Sequence, residues 1–325
     1  MDLTDWVPVH IRWRAHGPAV EWRWLDDVRF TEPFFDETVE RALARPFSLV
    51  FPLETGIETL REAAAGAIPP AGFVYHLSRC GSTLVGQMLA ASPRHLVLSE
   101  PPPVDAVLQS KLRGVPPETR GDWLRALLAA LGRPRAAEER LFVKLDMWHV
   151  LDLELVVSVF PEVPWIFVFR DPVEVLASHL SRVTGPQMIP GVLPPELLGL
   201  GYESLREITL AEYGARVVGR IGSEAADHAS TGRGLLVDYR ELPGAVTGAI
   251  AAHFGLDLDD GEVAAMRAAG MRDAKNPVLP FEPDSEARRA GASADVVEAA
   301  ERWARPAYDR LVALHRAQEA SLSSP

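Results

Sequence analysis

The 325-residue sequence predicts a three-layer α/β domain: a central parallel sheet between helices, plus a small N-terminal unit of one β-hairpin and one helix. Three observations carry this expectation. Residues 72–77 are apolar on both faces, as a central parallel strand is, and apolar runs recur at 141–145, 165–169 and 235–237. Segments with helical spacing separate these runs, which is the alternation of an α/β fold. Period-two patterning is confined to the first 25 residues.

The elements follow in order. Val9, Ile11 and Trp13 alternate with His10, Arg12 and Arg14; Val20, Trp22 and Trp24 alternate with Glu21 and Arg23. With His16-Gly17-Pro18 between them, they form a hairpin with one apolar face. Thr31 is expected to cap a helix that has Pro33 near its start and Phe34, Phe35, Val39 and Leu43 as its stripe. Four of the eight tryptophans precede residue 25, either packed on the main domain or forming an aromatic binding or dimer surface. Ile68-Pro69-Pro70-Ala71-Gly72 reads as a junction, dividing the chain into units 1–68 and 69–325. Beyond it, Leu84, Val85, Met88 and Leu89 mark a helix after the first strand. A helix is expected over 150–160 and another from Pro172 to about Arg182. Residues 183–201, rich in Pro and Gly without a period, suggest a mobile substrate-side loop. From Gly244 the chain reads as mostly helical, with Pro306 expected to kink the last helix.

Composition narrows the function. The chain is 47% hydrophobic and 24% charged, as water-soluble globular proteins are. A formal charge of −12 argues against general nucleic-acid binding, so any polyanionic ligand must meet locally concentrated Arg and Lys. Cys80 is the one cysteine, so no internal disulfide forms. Residues 1–13 lack the layout of a signal peptide. The most apolar stretch, 151–169, is broken by Asp152, Glu154, Glu162 and two prolines. A cytoplasmic protein without a membrane partner is expected. The nine histidines show no metal-ligand spacing, and no metal is expected.

Two loops carry the chemistry. In the first, strand 72–77 runs through Ser78-Arg79-Cys80-Gly81-Ser82-Thr83 into a helix. A helix N-terminus exposes unpaired N–H groups and partial positive charge, which suits phosphate or sulfate. Gly81 allows close backbone approach, Ser82 and Thr83 add hydroxyls, and Arg79 adds a forked cation. The nucleotide-triphosphate loop G-x-x-x-x-G-K-[ST] is not met: Gly81 directly precedes Ser82 and His76 stands where the first glycine would be. In the second loop Arg170 ends a strand and Asp171-Pro172 opens a helix on which Ser178 and Arg182, four apart, share a face. Two anion sites in one domain suggest a ligand with anionic groups at both ends.

The segment from Ser78 to Leu84 resembles the 5′-phosphosulfate loop of sulfotransferases that use 3′-phosphoadenosine 5′-phosphosulfate (PAPS). It is most similar to the Pro-Arg-Ser-Gly-Thr-Thr-Leu form of the tyrosylprotein branch. Ser78 replaces the proline and Cys80 a serine, so the Cys80 side chain is a poorer hydrogen-bonding group than the family's, though its backbone N–H remains. Arg170, Ser178 and Arg182 resemble the family's 3′-phosphate motif. Tyr239, in the partial match Asp238-Tyr239-Arg240-Glu241-Leu242, either stacks near adenine or belongs to the core. Lys275 either reaches a donor phosphate or is solvated. The resemblance covers about residues 70–280 and implies a P-loop-type fold, PAPS as co-substrate, and a small-molecule or peptide hydroxyl acceptor.

The resemblance also implies the reacting groups. Glu100, in Ser99-Glu100-Pro101 after a short strand, matches the family's glutamate base. Lys144 lies inside an apolar strand, an unusual place for an unpaired lysine. It matches the lysine that neutralises the bridging oxygen, a role Arg79 would share. The plainer alternatives are a Glu100 that caps a helix and a Lys144 paired with Asp146 or Glu100. Asp146 and His149 are runner-up bases, and His76 reads as a satisfied core residue. The rival functions are a small-molecule kinase on the same fold and a non-catalytic member acting as a binding partner.

Overall fold

The computed structural model describes residues 3–181 and 188–322. Strands β1 (Trp6–Arg14) and β2 (Gly17–Trp24) form the expected hairpin, reversing at Gly17 with φ 119°, where glycine is favoured. Val7, Val9, Ile11, Val20 and Trp22 are buried on its inner face, and β1 packs against the helices Pro102–Leu108 and Pro117–Leu131. A third strand, β3 (Leu53–Gly56), extends this antiparallel sheet beside β2. Its four residues include one large apolar side chain, too short a run to show a period.

The helix of this unit spans Phe35–Leu43, and Thr31 does not cap it. Phe34 is the N-cap position, extended at φ −132° and ψ 151°, and no side chain caps the helix. Pro33 biases Glu32 away from helix, and the helix starts two residues after the proline, at Phe35. Phe35, Thr38, Val39 and Ala42 form the buried stripe, and Phe34 is left outside it.

The main sheet contains β4 (Pro70–His76), β5 (His95–Ser99), β6 (Arg140–Lys144), β7 (Trp165–Phe169) and β8 (Gly234–Asp238). Its order is β5-β6-β4-β7-β8, with every neighbouring pair parallel. Helices flank it, as the sequence predicts, and one hydrophobic core runs through both sheets. Helix Leu210–Asp227 lies close against the C-terminal segment: a Cβ on Gly219 would meet the Trp303 carbonyl oxygen at 2.1 Å.

Two other elements differ from expectation. The segment expected to be helical from 150 starts earlier, as a 3₁₀ turn Met147–Asp152 capped by Asp146, and continues as the helix Leu153–Val159. Pro306 falls at a local widening of the last helical run. It is the second residue of the helix Arg305–Leu322, and the ladder widens just before it into a π-type turn, Ala300–Ala304. A proline withholds the N–H owed to the carbonyl four residues back, and the wider turn absorbs that loss. Within the region read as mostly helical, residues 272–284 are non-helical, with a β-bridge between Arg272 and Pro280. In the Pro- and Gly-rich segment, Met188 and Leu198 are buried, while 183–187 and Arg182 lie outside the described residues. Among the described residues no helix is long and apolar enough to cross a membrane.

Candidate active site

Strand register assembles the site. Lys144 at the end of β6 aligns with Ser99 on β5 and Val74 on β4, and His76 on β4 aligns with Val168 on β7. The segments leaving β4, β5, β6 and β7 therefore emerge side by side at the C-terminal edge, where open α/β sheets bind ligands. Backbone strain gathers there. Ser78 (φ 65°), Arg79 (φ 49°) and Glu100 (φ 53°) are non-glycine residues in the left-handed region, next to Gly81 at φ 85°.

The first loop ends at the N-terminus of helix Ser82–Ala90. A hollow of about 190 Å³ opens beside it, lined by Arg79, Gly81, Ser82, Thr83, Arg170, Ser178, Tyr239, Lys275, Asp284 and Arg288 among others. A Cβ on Gly81 would strike Leu242 Cδ1 at 2.7 Å and Tyr239 at 3.1 Å, so glycine is needed for space as well as for backbone angle. Two predicted loop residues turn elsewhere. Cys80 is fully buried, its thiol donates to the Val168 carbonyl at 3.1 Å, and burial pushes that thiol up to about 11. Only its backbone can face a ligand. Ser78 directs its hydroxyl to His179 Nε2 at 3.1 Å. Burial, with the charges of Arg79 and Lys275, pushes His179 down to about 4.

Arg170 joins the two loops. Its Nη1 donates to the Arg79 carbonyl at 3.2 Å, and its guanidinium lies 4.0 Å from the Tyr239 ring centroid. It is already paired: Nε donates to Glu174 at 2.6 Å and Nη2 to Asp284 at 2.7 Å. Arg288 donates to the other Asp284 oxygen at 2.8 Å and to Ser181 Oγ at 2.8 Å. Asp284, Arg288 and Glu174 thus belong to this end of the hollow, and none was found from the sequence. Asp284 and Arg288 lie more than 100 residues from Arg170 in an otherwise unremarked helix, so no local signal exposes them.

At the other end, Lys144 Nζ pairs with Glu100 Oε1, one of the two partners the sequence allows. Lys144 is 1% exposed, whereas the Glu100 side chain is 24% exposed. Burial alone would raise the Glu100 carboxyl, but the Lys144 ammonium holds it well below the usual carboxylate range. Lys144 and Lys275 each place Nζ 5.3 Å from the ring centroid of Phe34. Phe34, released from the helix stripe by the late helix start, thus brings the N-terminal unit into the site.

Glu100 also lines a second cavity of about 310 Å³ with Phe34, Asp36, Pro102, Asp105, Asp146 and Trp148. Four of these seven residues are carboxylates and two are aromatic; no basic side chain lines it. Burial, reinforced by the Glu100 and Asp105 charges and opposed by His149, raises the Asp146 carboxyl. Asp105 accepts from Trp148 Nε1 at 2.8 Å and faces His149 Nε2 at 2.8 Å. His149 is 1% exposed and its Nδ1 accepts from the Asp146 N–H at 3.1 Å. Both ring nitrogens are therefore engaged, although Asp105, Asp146 and His149 bring three ligand atoms within 4.8 Å of one another. The structure brings Arg79, Gly81, Ser82, Thr83, Arg170, Ser178, Tyr239 and Lys275 to one hollow, with Glu100 and Lys144 beside it.

No protein-family model and no curated protein matches the chain. Solved structures to which the chain is similar include sulfotransferases. The sulfotransferase domain of the Synechococcus PCC 7002 olefin synthase is 19% identical over 72% of this chain and 94% of that one, at a TM-score of 0.40. A sulfotransferase from Alicyclobacillus acidocaldarius is 15% identical over 76% and 96%, at 0.45. A mouse sulfotransferase solved with PAP is 13% identical over 78% and 88%, at 0.37. These likenesses are distant, and the functional reading rests on the residues of the site.

Proposed function

We propose that the protein transfers a sulfuryl group from PAPS to a hydroxyl acceptor. The observation that carries this reading is the Lys144–Glu100 pair, with Lys144 buried and Glu100 lining an acidic cavity, in a site that also holds a hollow lined by Arg79, Arg170, Lys275 and Arg288. The N–H groups of Gly81, Ser82 and Thr83 receive the phosphosulfate, with Arg79 beside them. Arg170 and Ser178 take the 3′-phosphate, Tyr239 lies along the adenine, Lys275 adds positive charge, and Arg182 is assigned to the 3′-phosphate by its place in the motif. The hollow sets Arg79, Arg170, Lys275 and Arg288 against the carboxylates of Asp273, Glu282 and Asp284, and suits a polyanion on condition that Asp284 gives up Arg170.

The chemistry is an in-line displacement. The acceptor oxygen attacks sulfur, the bond from sulfur to the 5′-phosphate oxygen breaks, and the hydroxyl proton passes to Glu100. The electron pair of the broken bond stays on the 5′-phosphate, where Lys144 and Arg79 neutralise it. Lys144 must leave Glu100 for that task, and its departure restores the basicity that the pair suppresses. The acceptor occupies the cavity of Phe34, Asp36, Asp105, Asp146 and Trp148. With four carboxylates and no basic side chain, that cavity favours a neutral or cationic phenol or alcohol over an acidic tyrosine peptide.

Release of 3′-phosphoadenosine 5′-phosphate from PAPS, followed across phenols, amino alcohols and tyrosine peptides, tests the reading. Glu100→Gln is expected to abolish acceptor-dependent turnover and to keep donor binding. Unchanged turnover in that variant would remove Glu100 from the mechanism.

A further inference from the structure

His76 is not the satisfied core residue its place in a strand suggests. It is 4% exposed at the end of β4, and the Ser78 backbone N–H donates to its Nδ1 at 3.0 Å. A ring nitrogen that accepts carries no proton, so Nε2 bears it. The ring is therefore neutral, in keeping with the burial and the Lys144 ammonium that hold His76 below its ordinary range. Its Nε2–H is buried and finds no hydrogen-bond acceptor among the described residues. The Glu100 Oε1 atom is 3.3 Å away but off the line a hydrogen bond needs. Leaving a buried donor unmet costs about 1–3 kcal/mol, and such a group calls for a reason.

Glu100 supplies the reason. Its Oε1 is held by Lys144, and the mechanism above requires Lys144 to leave. Lys144 from β6 and Glu100 from the segment after β5 are the charged groups that face the His76 ring. With the lysine gone, Glu100 would stand in a largely buried site with no ion partner. We propose that His76 is a positioning residue: when Lys144 moves to the donor, Glu100 turns onto the Nε2–H of His76. Oε1 is then anchored by the histidine, and Oε2 faces the acceptor hydroxyl. The Ser78 amide that fixes the His76 tautomer belongs to the donor loop itself, so the backbone that meets the donor also orients the base's anchor. This inference rests on the sulfuryl-transfer reading of Glu100 and Lys144.

The test is the proton spectrum of the full-length protein labelled with ¹⁵N in its histidine rings, with and without 3′-phosphoadenosine 5′-phosphate. Calorimetry on the same samples reports binding, and His76→Asn assigns the Nε2–H resonance. Saturation with the bisphosphate is expected to move that resonance downfield, toward charge-assisted hydrogen bonds. Lys144→Met is expected to show the downfield position before any ligand is added, and Glu100→Gln is expected to lack it in both states. If the bisphosphate binds and the wild-type resonance stays in place, the His76 inference is overturned while the functional reading stands. If the bisphosphate does not bind, both fall together.

Discussion

Replacing Asp284 with asparagine is expected to tighten binding of 3′-phosphoadenosine 5′-phosphate. Arg170 is 5% exposed and gives Nη2 to Asp284 Oδ1 at 2.7 Å, while Arg288 gives Nε to Asp284 Oδ2 at 2.8 Å. A 3′-phosphate reaching Arg170 must displace this carboxylate. The Asp284 side chain is 37% exposed, so its hold on the arginine is screened and is worth about 0.5–1 kcal/mol. A displaced carboxylate still repels the incoming phosphate. At a separation of about 6 Å and an effective dielectric constant of about 40, each pair of unit charges costs about 1.4 kcal/mol. Asparagine removes both effects, for a gain of about 2 kcal/mol, or roughly 30-fold in affinity. It also keeps the size of the side chain and the backbone carbonyl that accepts from the Arg288 N–H at 2.9 Å. Calorimetric titration of both proteins at two salt concentrations measures the change. An affinity that is unchanged or weaker in a folded Asp284→Asn protein would refute the placement of the 3′-phosphate on Arg170.

Two predictions concern stability. Gly219→Ala puts a Cβ 2.1 Å from the Trp303 carbonyl oxygen and 3.0 Å from its carbon, both backbone atoms. Separating the two helical segments is expected to cost about 1–3 kcal/mol, read as a lower urea midpoint; an unchanged midpoint would contradict the packing. For pH, the Glu262 carboxyl is lowered from the ordinary 4.5 to about 2, first by its hydrogen bond from Arg94 and also by one from Ser92. A depressed folded-state value means this contribution is complete above about pH 4.5 and is lost as the pH falls toward 2. Wild type is therefore expected to lose more stability than Glu262→Gln between pH 5 and pH 3 on this basis. Equal losses would count against the pairing.

How much was legible in the sequence depended on distance along the chain. The two loops could be read because a strand end, a turn and a helix start are contiguous, and Gly81, Ser82 and Thr83 occupy the places their spacing implies. A lysine inside an apolar strand needs a partner, which leaves Asp146 and Glu100 open, and the fold selects Glu100. Side-chain direction was less accessible. Cys80 lies in the loop by sequence, yet turns its thiol into the core toward β7. Phe34 has the spacing of the helix stripe, but the delayed helix start frees its ring to lie within reach of both Lys144 and Lys275. Asp36 reaches the acidic cavity only because the N-terminal unit docks there. Asp284 meets Arg170 across 114 residues, which no periodicity encodes. Arg182 lies outside the described residues.

The most direct test of the central claim is calorimetric titration of the full-length protein at low salt with 3′-phosphoadenosine 5′-phosphate, compared with ATP and AMP. The account predicts micromolar binding of the bisphosphate and much weaker binding of the other two, because Arg170 and Ser178 engage a phosphate that only the bisphosphate carries. A preference for ATP, or no binding of any of the three, would contradict it.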